Sequence, residues 1–140
     1  MRPRFAVGIG CRKGCTGEAI ASLVRRALVL AVEADGTPDA RQASRDAVMF
    51  TSELKSAEAG LVEAAARLGM QLVFLPRVEL EAAAPRCATR SARVEAIIGI
   101  PSLAEAAALA GAGSGSRLVV ERISEGGASC ALAIPSESAS

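Results

Sequence analysis

Two stretches of the chain set chemically useful side chains beside glycine. The first runs Gly8-Ile9-Gly10-Cys11-Arg12-Lys13-Gly14-Cys15-Thr16. Glycines let a backbone approach a ligand, and adjacent cations ahead of a helix N-terminus attract an anion. Recognition of a phosphate or a carboxylate is the chemistry this pattern would serve. Neither nucleotide fingerprint is matched. A P-loop needs G-x-x-x-x-G-K-[ST], but here Lys13 precedes Gly14 and Cys15 follows it. A dinucleotide loop needs G-x-G-x-x-G, but Gly8, Gly10 and Gly14 give G-x-G-x-x-x-G. The plain structural alternative is a tight strand-to-helix turn carrying solvated charges. Cys11 and Cys15 flank the cations. A thiol beside Arg or Lys near a helix start leans toward thiolate, the form a nucleophile or redox pair needs. The chain contains no histidine to act as base, so small thiols packing a tight loop is the simpler reading.

The second stretch is Thr51-Ser52-Glu53-Leu54-Lys55-Ser56-Ala57-Glu58. Lys55 suits an anionic ligand, and Glu58 suits a partnership with Lys55 or acid–base work. Helix-start chemistry explains the same residues, with Ser56 as the cap and Glu58 as a first-turn acid. Farther on, Ser102-Leu103-Ala104-Glu105 reads as a capping box in which Ser caps forward and Glu reaches back. A ligand-facing role for Ser102 is the alternative, because capped helix starts point amides outward.

These residues need elements to position them. Phe5 to Gly10 is a short apolar run that suits a buried strand. Ile20, Leu23, Val24, Ala27, Leu28 and Ala31 then make one helical face, with Thr16 as its N-cap. Asp35 to Asp39 is a break. Ala47 to Thr51 and Gln71 to Leu75 read as strands, separated by a helix with Leu61, Ala64, Ala65 and Leu68 inward and Gly69 at its end. That alternation puts both reactive stretches at carboxyl ends of parallel strands, where α/β proteins bind ligands. Val78 to Ala84 reads as a short helix. A further helix is expected from Ser91 through Ile98, and another after Ser102. Gly111 to Ser116 reads as a mobile glycine-serine loop. Arg117 to Arg122 and Ala128 to Ile134 make a terminal hairpin around Gly126-Gly127, and Pro135 to Ser140 is expected to fray. The expected architecture is one three-layer α/β/α domain over residues 1–140. Its sheet is mostly parallel or mixed, with about five strands and a C-terminal hairpin.

Composition narrows the function classes. A chain of 140 residues with 51% hydrophobic and 22% charged residues folds without disulfides or zinc. The absence of His excludes His-ligated metal sites and Ser-His-Asp catalysis. With no Trp or Tyr, stacking on single-stranded nucleic acid has almost no platform. A net charge of +1 argues against general polyanion affinity. Only two of the cations are lysines, Lys13 and Lys55, which makes their placement the more informative. The four cysteines are not spaced C-x-x-C. Met1-Arg2-Pro3-Arg4 lacks the apolar stretch of a signal peptide, and no membrane-length apolar run follows. The expectation is a cytoplasmic chain with reduced thiols, no cofactor, no metal, and neither nucleic acid nor membrane as partner.

The blocks together resemble a known family. Gly8-Ile9-Gly10-Cys11-Arg12-Lys13-Gly14 resembles the opening motif of CobE and of the CbiG C-terminal domain, a family of cobalamin (vitamin B12) biosynthesis. Thr51-x-x-Leu54-Lys55-x-x-Glu58-x-Gly60-Leu61 is similar to the family's T-x-x-L-K-x-x-E-x-G-L segment. Gly99 through Leu109 is similar to its GVPSVAEAAAL segment. Larger family members join this domain to others and open a lactone ring on a cobalt-corrinoid intermediate, releasing acetaldehyde. This sequence matches the C-terminal module alone. The resemblance implies the pathway, whose intermediates are flat macrocycles rich in acetate and propionate carboxylates. Binding one requires separated cations around an apolar ledge. The expected substrate-binding residues are Gly10, Cys11, Arg12, Lys13, Gly14, Thr16, Thr51, Lys55 and Ser102. The expected function is that of a carrier or accessory factor for a precorrin or corrinoid intermediate, with other cobalamin-pathway enzymes as further partners. The alternatives are a hydrolase on a precorrin-5-type lactone with Glu58 or Lys55 as acid/base, a thiol redox module using Cys11 and Cys15, and a protein-interaction module.

Overall fold

From Phe5 to Gly10 no side chain is polar, and every residue is buried, so this segment forms the central strand β1 (Phe5–Cys11). A computed structural model describes residues 4–35, 40–90, 95 and 99–136. The strand is followed by α1 (Gly17–Asp35), α2 (Ala40–Arg45), β2 (Ala47–Ser52), α3 (Ala59–Leu68), β3 (Leu72–Leu75) and α4 (Arg77–Ala83). Then come α5 (Leu103–Ala112), β4 (Arg117–Glu125) and β5 (Ala128–Ile134). Short 3-10 turns occupy Glu53–Lys55 and Ala84–Arg86. The expected helix from Ser91 to Ile98 falls on residues 91–94 and 96–98, outside the described set. So do residues 36–39 of the expected break and 137–140 of the tail.

The strands form one mixed sheet in the order β3-β2-β1-β5-β4. β1, β2 and β3 run parallel, with Val7 opposite Met49 and Thr51 opposite Phe74. β5 is antiparallel to both β1 and β4, with Val7 opposite Leu132. Alternation then splits the apolar residues into two cores. Phe5, Val7 and Ile9 meet Ile20, Val24, Leu61 and Leu132 on the α1/α3 face. Ala6, Ala131 and Ala133 meet α4 and α5 on the other. The expected three-layer α/β/α domain with a C-terminal hairpin is the architecture found.

α5 is alanine-rich and buried on nearly every side. Alanine lets a helix approach a sheet closely, and Gly8 completes the contact. A Cβ built on Gly8 would lie 1.8 Å from the Ala104 carbonyl oxygen and 2.5 Å from the Ala108 nitrogen. Gly69 ends α3 in the left-handed region at φ 66°, which glycine adopts without steric penalty. Among the described residues no helix is long and apolar enough to cross a membrane.

Three local expectations are corrected. Ser56 does not cap α3; it closes the 3-10 turn Glu53–Lys55, and Glu58 occupies the N-cap position without a side-chain cap bond. Glu105 does not reach back to Ser102. The Ser102 hydroxyl does accept from the Glu105 amide at 3.3 Å, but the Glu105 carboxylate is fully buried and serves other partners. Gly111 belongs to α5, and the segment after it is tied down rather than loose. The Ser116 hydroxyl donates to the Leu109 carbonyl at 2.9 Å, and Arg86 donates to the Ser116 carbonyl at 2.7 Å.

Candidate functional site

Where β1 and β2 end, the chain turns away from the sheet on both strands at once, and a cavity of about 740 Å³ opens above their carboxyl edge. Gly10, Cys11 and Arg12 line it from the end of β1, and Ser52, Leu54 and Lys55 from the end of β2. Arg77 and Leu80 of α4 and Leu103 and Ala104 of α5 form the wall on one face of the sheet, with Ile100 just ahead of α5. Arg122, Ser124 and Ser129 close it from the terminal hairpin.

The loop after β1 is held by a few specific bonds. The Arg12 amide donates to the Gly127 carbonyl at 2.9 Å, and the Cys15 thiol donates to the Gly126 carbonyl at 3.4 Å. These bonds join the loop to the hairpin. The Gly14 amide donates to Glu58 Oε2 at 3.0 Å, which joins it to the start of α3. Thr16 caps α1 by accepting from the Ala19 amide at 3.1 Å. The Thr51 hydroxyl, fully buried, donates to the Ile9 carbonyl at 2.7 Å and ties β2 to β1 beside the cavity.

Of the residues expected to bind substrate, Gly10, Cys11, Arg12 and Lys55 therefore line one cavity. Lys13 is exposed and lies outside the lining. Gly14, Thr16, Thr51 and Ser102 also lie outside it and make the internal bonds just described. Glu58 is taken up by the Gly14 amide rather than by Lys55. Sequence reasoning did not reach Arg77 and Arg122. Arg77 follows Pro76 directly at the carboxyl end of β3, so the rule that picked the first two loops applies to it equally. Arg122 had no such signal.

The electrostatics are one-sided. Arg12, Lys55, Arg77 and Arg122 line the cavity. Arg77 is ion-paired with Glu81, whereas Arg12, Lys55 and Arg122 form no ion pair with another described residue. The lining holds one carboxylate, Glu125, and it is paired with Arg26 of α1. Between the cations lies an apolar surface of Leu80, Ile100, Leu103 and Ala104, and Leu54, 68% exposed, forms a lip. Burial pushes the Cys11 thiol up to about 11, against the pull of the nearby Lys55 ammonium. Cys15 is raised too, by burial and then by Glu58. The loop thiols are thus protonated at neutral pH, the reverse of the thiolate that adjacent cations favour. Burial outweighs those cations. Among the described residues no group of three or more His, Cys, Asp or Glu could hold a metal ion.

A family profile described as Cobalamin synthesis G C-terminus matches residues 5–133. A protein named CobE from Sinorhizobium sp. is 36% identical over 131 residues, covering 94% of this chain and 80% of that protein. Among solved structures, that of CobE, a protein from the cobalamin (vitamin B12) biosynthetic pathway, superposes with a TM-score of 0.79 at 31% identity. The match covers 96% of this chain and 92% of that one. The cobalamin biosynthesis protein chiG from Agrobacterium tumefaciens superposes with a TM-score of 0.68 at 36% identity, covering 95% of this chain and 99% of that one.

Proposed function

The chain belongs to the Cobalamin synthesis G C-terminus family and is a cobalamin-biosynthesis protein, and from that premise we propose that its cavity binds a carboxylate-rich tetrapyrrole intermediate of the pathway, held as a carrier or accessory factor. The observation that carries this reading is the placement of Arg12, Lys55 and Arg122 on three different elements around one partly apolar cavity. A phosphate site gathers its donors at one point. Cations spread over separate walls suit a ligand whose anionic groups are themselves spread around an apolar ring. Arg12 and Arg122 would each grip a carboxylate through two parallel N–H bonds, and Lys55 through a point charge. The ring would rest on Leu80, Ile100 and Leu103, with Leu54 against its other side.

The two chemical alternatives draw less support. A hydrolase using Glu58 needs that carboxylate at the ligand, but it lies outside the lining and accepts from Gly14. A thiol redox role needs a reactive thiolate, and Cys11 is held protonated. Lys55 alone stays available to an acid–base scheme.

The test is to titrate hydrogenobyrinic acid, a cobalt-free polycarboxylate corrinoid, into folded protein and follow its visible absorbance. A saturable spectral shift that weakens as salt rises is the expected result. No shift at high micromolar protein overturns the reading.

A further inference from the structure

β4 does not alternate regularly. Between the pairs Val120–Leu132 and Ile123–Cys130 it advances three residues while β5 advances two. The extra residue is a β-bulge, and it reverses which side chains face which side of the sheet. Val120 and Ile123 both pack on the α1 face. With strict alternation from Val120, Glu121 would face the cavity and Arg122 would turn away. With the bulge, Arg122 and Ser124 line the cavity and Glu121 does not. The phase of one short segment thus decides whether the hairpin offers the cavity a cation or an anion.

The bulge turns the Arg122 amide away from the ladder, where it donates to Glu105 Oε2 at 2.9 Å. Glu105 sits in the first turn of α5 and is 0% exposed. Its other bonds come from the Thr89 amide at 2.7 Å and the Thr89 hydroxyl at 2.8 Å. A buried carboxylate is tolerated only when its lone pairs are filled this way. Its neighbours Leu103 and Ala104 are themselves cavity wall, so one side chain ties the α5 wall to the bulged strand opposite.

We propose that Glu105 is a positioning residue: by holding the Arg122 amide it fixes the bulge that points the Arg122 guanidinium, and not the Glu121 carboxylate, into the anion-binding cavity. The ligand part rests on the reading above; the backbone part does not. The backbone part is tested first, without ligand, by amide exchange and cross-strand NOEs. In the unaltered protein the Arg122 amide is expected to exchange slowly; fast exchange overturns the proposal, and this measurement needs no variant. In Glu105→Gln the Arg122 amide is expected to lose protection and the Ile123–Cys130 NOE to weaken. An unchanged NOE pattern overturns the proposal.

The second test measures hydrogenobyrinic acid affinity against salt. Arg122→Ala is expected to weaken binding about tenfold and to flatten the salt dependence by about one ion pair. Glu105→Gln is expected to match it, and the double variant to lose no more than either alone. Glu121→Gln is expected to restore several-fold affinity in the Glu105→Gln background while leaving the unaltered protein within twofold. A merely stabilising role for Glu105 predicts no such rescue, and its absence overturns the positioning claim. If the unaltered protein binds no corrinoid while the exchange and NOE results hold, the functional reading fails and the bulge assignment stands.

Discussion

Gly8→Ala adds one methyl group at the tightest point between β1 and α5, and its cost follows from the geometry. The new Cβ would lie 1.8 Å from the Ala104 carbonyl oxygen, and no real Cβ contact falls below 3.0 Å. The obstructing atoms are helix backbone, so no rotamer change relieves the clash. α5 must retreat by about 1.2 Å, or β1 must bend. Overpacking of this kind costs about 1–3 kcal/mol. A gap of that size also forfeits roughly half of each dispersion contact beside it, and Ala104, Ala107 and Ala108 are all fully or almost fully buried there. The combined cost is about 3–5 kcal/mol, a large part of the 5–15 kcal/mol typical of a domain. With a urea m-value of about 2 kcal/mol/M, the unfolding midpoint falls by about 2 M. Gly10→Ala is the control. It sits two residues along the same strand, but its Cβ meets only ordinary contacts, the nearest at 3.6 Å from Leu103 Cβ. That variant is expected within about 1 kcal/mol of the parent, because the lost chain flexibility offsets small strains. Equal midpoints for the two variants, or a fall below about 0.5 M for Gly8→Ala, would refute the claim that this glycine is set by helix approach.

Arg12→Ala and Lys55→Ala are each expected to weaken hydrogenobyrinic acid binding about tenfold, while Lys13→Ala stays within about twofold; titration by absorbance distinguishes them. Thr51→Val removes the buried bond to the Ile9 carbonyl and is expected to lower stability by about 1–2 kcal/mol in urea unfolding. Alkaline pH should destabilise the fold. Cys11 and Cys87 keep their protons to about 11 when folded, against 9.0 for a free thiol, so the unfolded chain binds fewer protons between those limits. Stability is therefore fully present below pH 9 and falls as pH rises toward 11; a thermal midpoint flat across that window contradicts the burial of these thiols.

Much of the architecture was legible because its signals are local. Phe5 to Gly10 is too apolar to be anything but a buried strand, Gly69 stops α3 where a left-handed residue is needed, and Gly126-Gly127 turns the hairpin with both φ values positive. Arg12 and Lys55 were placed at one rim by the rule for carboxyl ends of parallel strands. The failures are tertiary. Ser56 looked like a cap because nothing in its neighbourhood announces the 3-10 turn that delays α3 by three residues. Glu105 fits the capping pattern, yet Thr89 and Arg122, distant in the chain, outcompete its own helix start for the carboxylate. Arg122 was invisible because a period-two reading assumes unbroken alternation, which the bulge ends.

The order of the strands in the sheet also bears on how the protein is made. β1 leaves the ribosome first, yet its antiparallel neighbour β5 is the last strand synthesised, with Ala6 paired to Ala133. Until translation is nearly complete, the most apolar strand has one open edge. Closing it demands a contact spanning almost the entire polypeptide, which slows folding and leaves nascent chains prone to aggregate. Truncation near the C-terminus should therefore be far more damaging than the brevity of the missing piece suggests, since it strips the middle of the sheet rather than its margin.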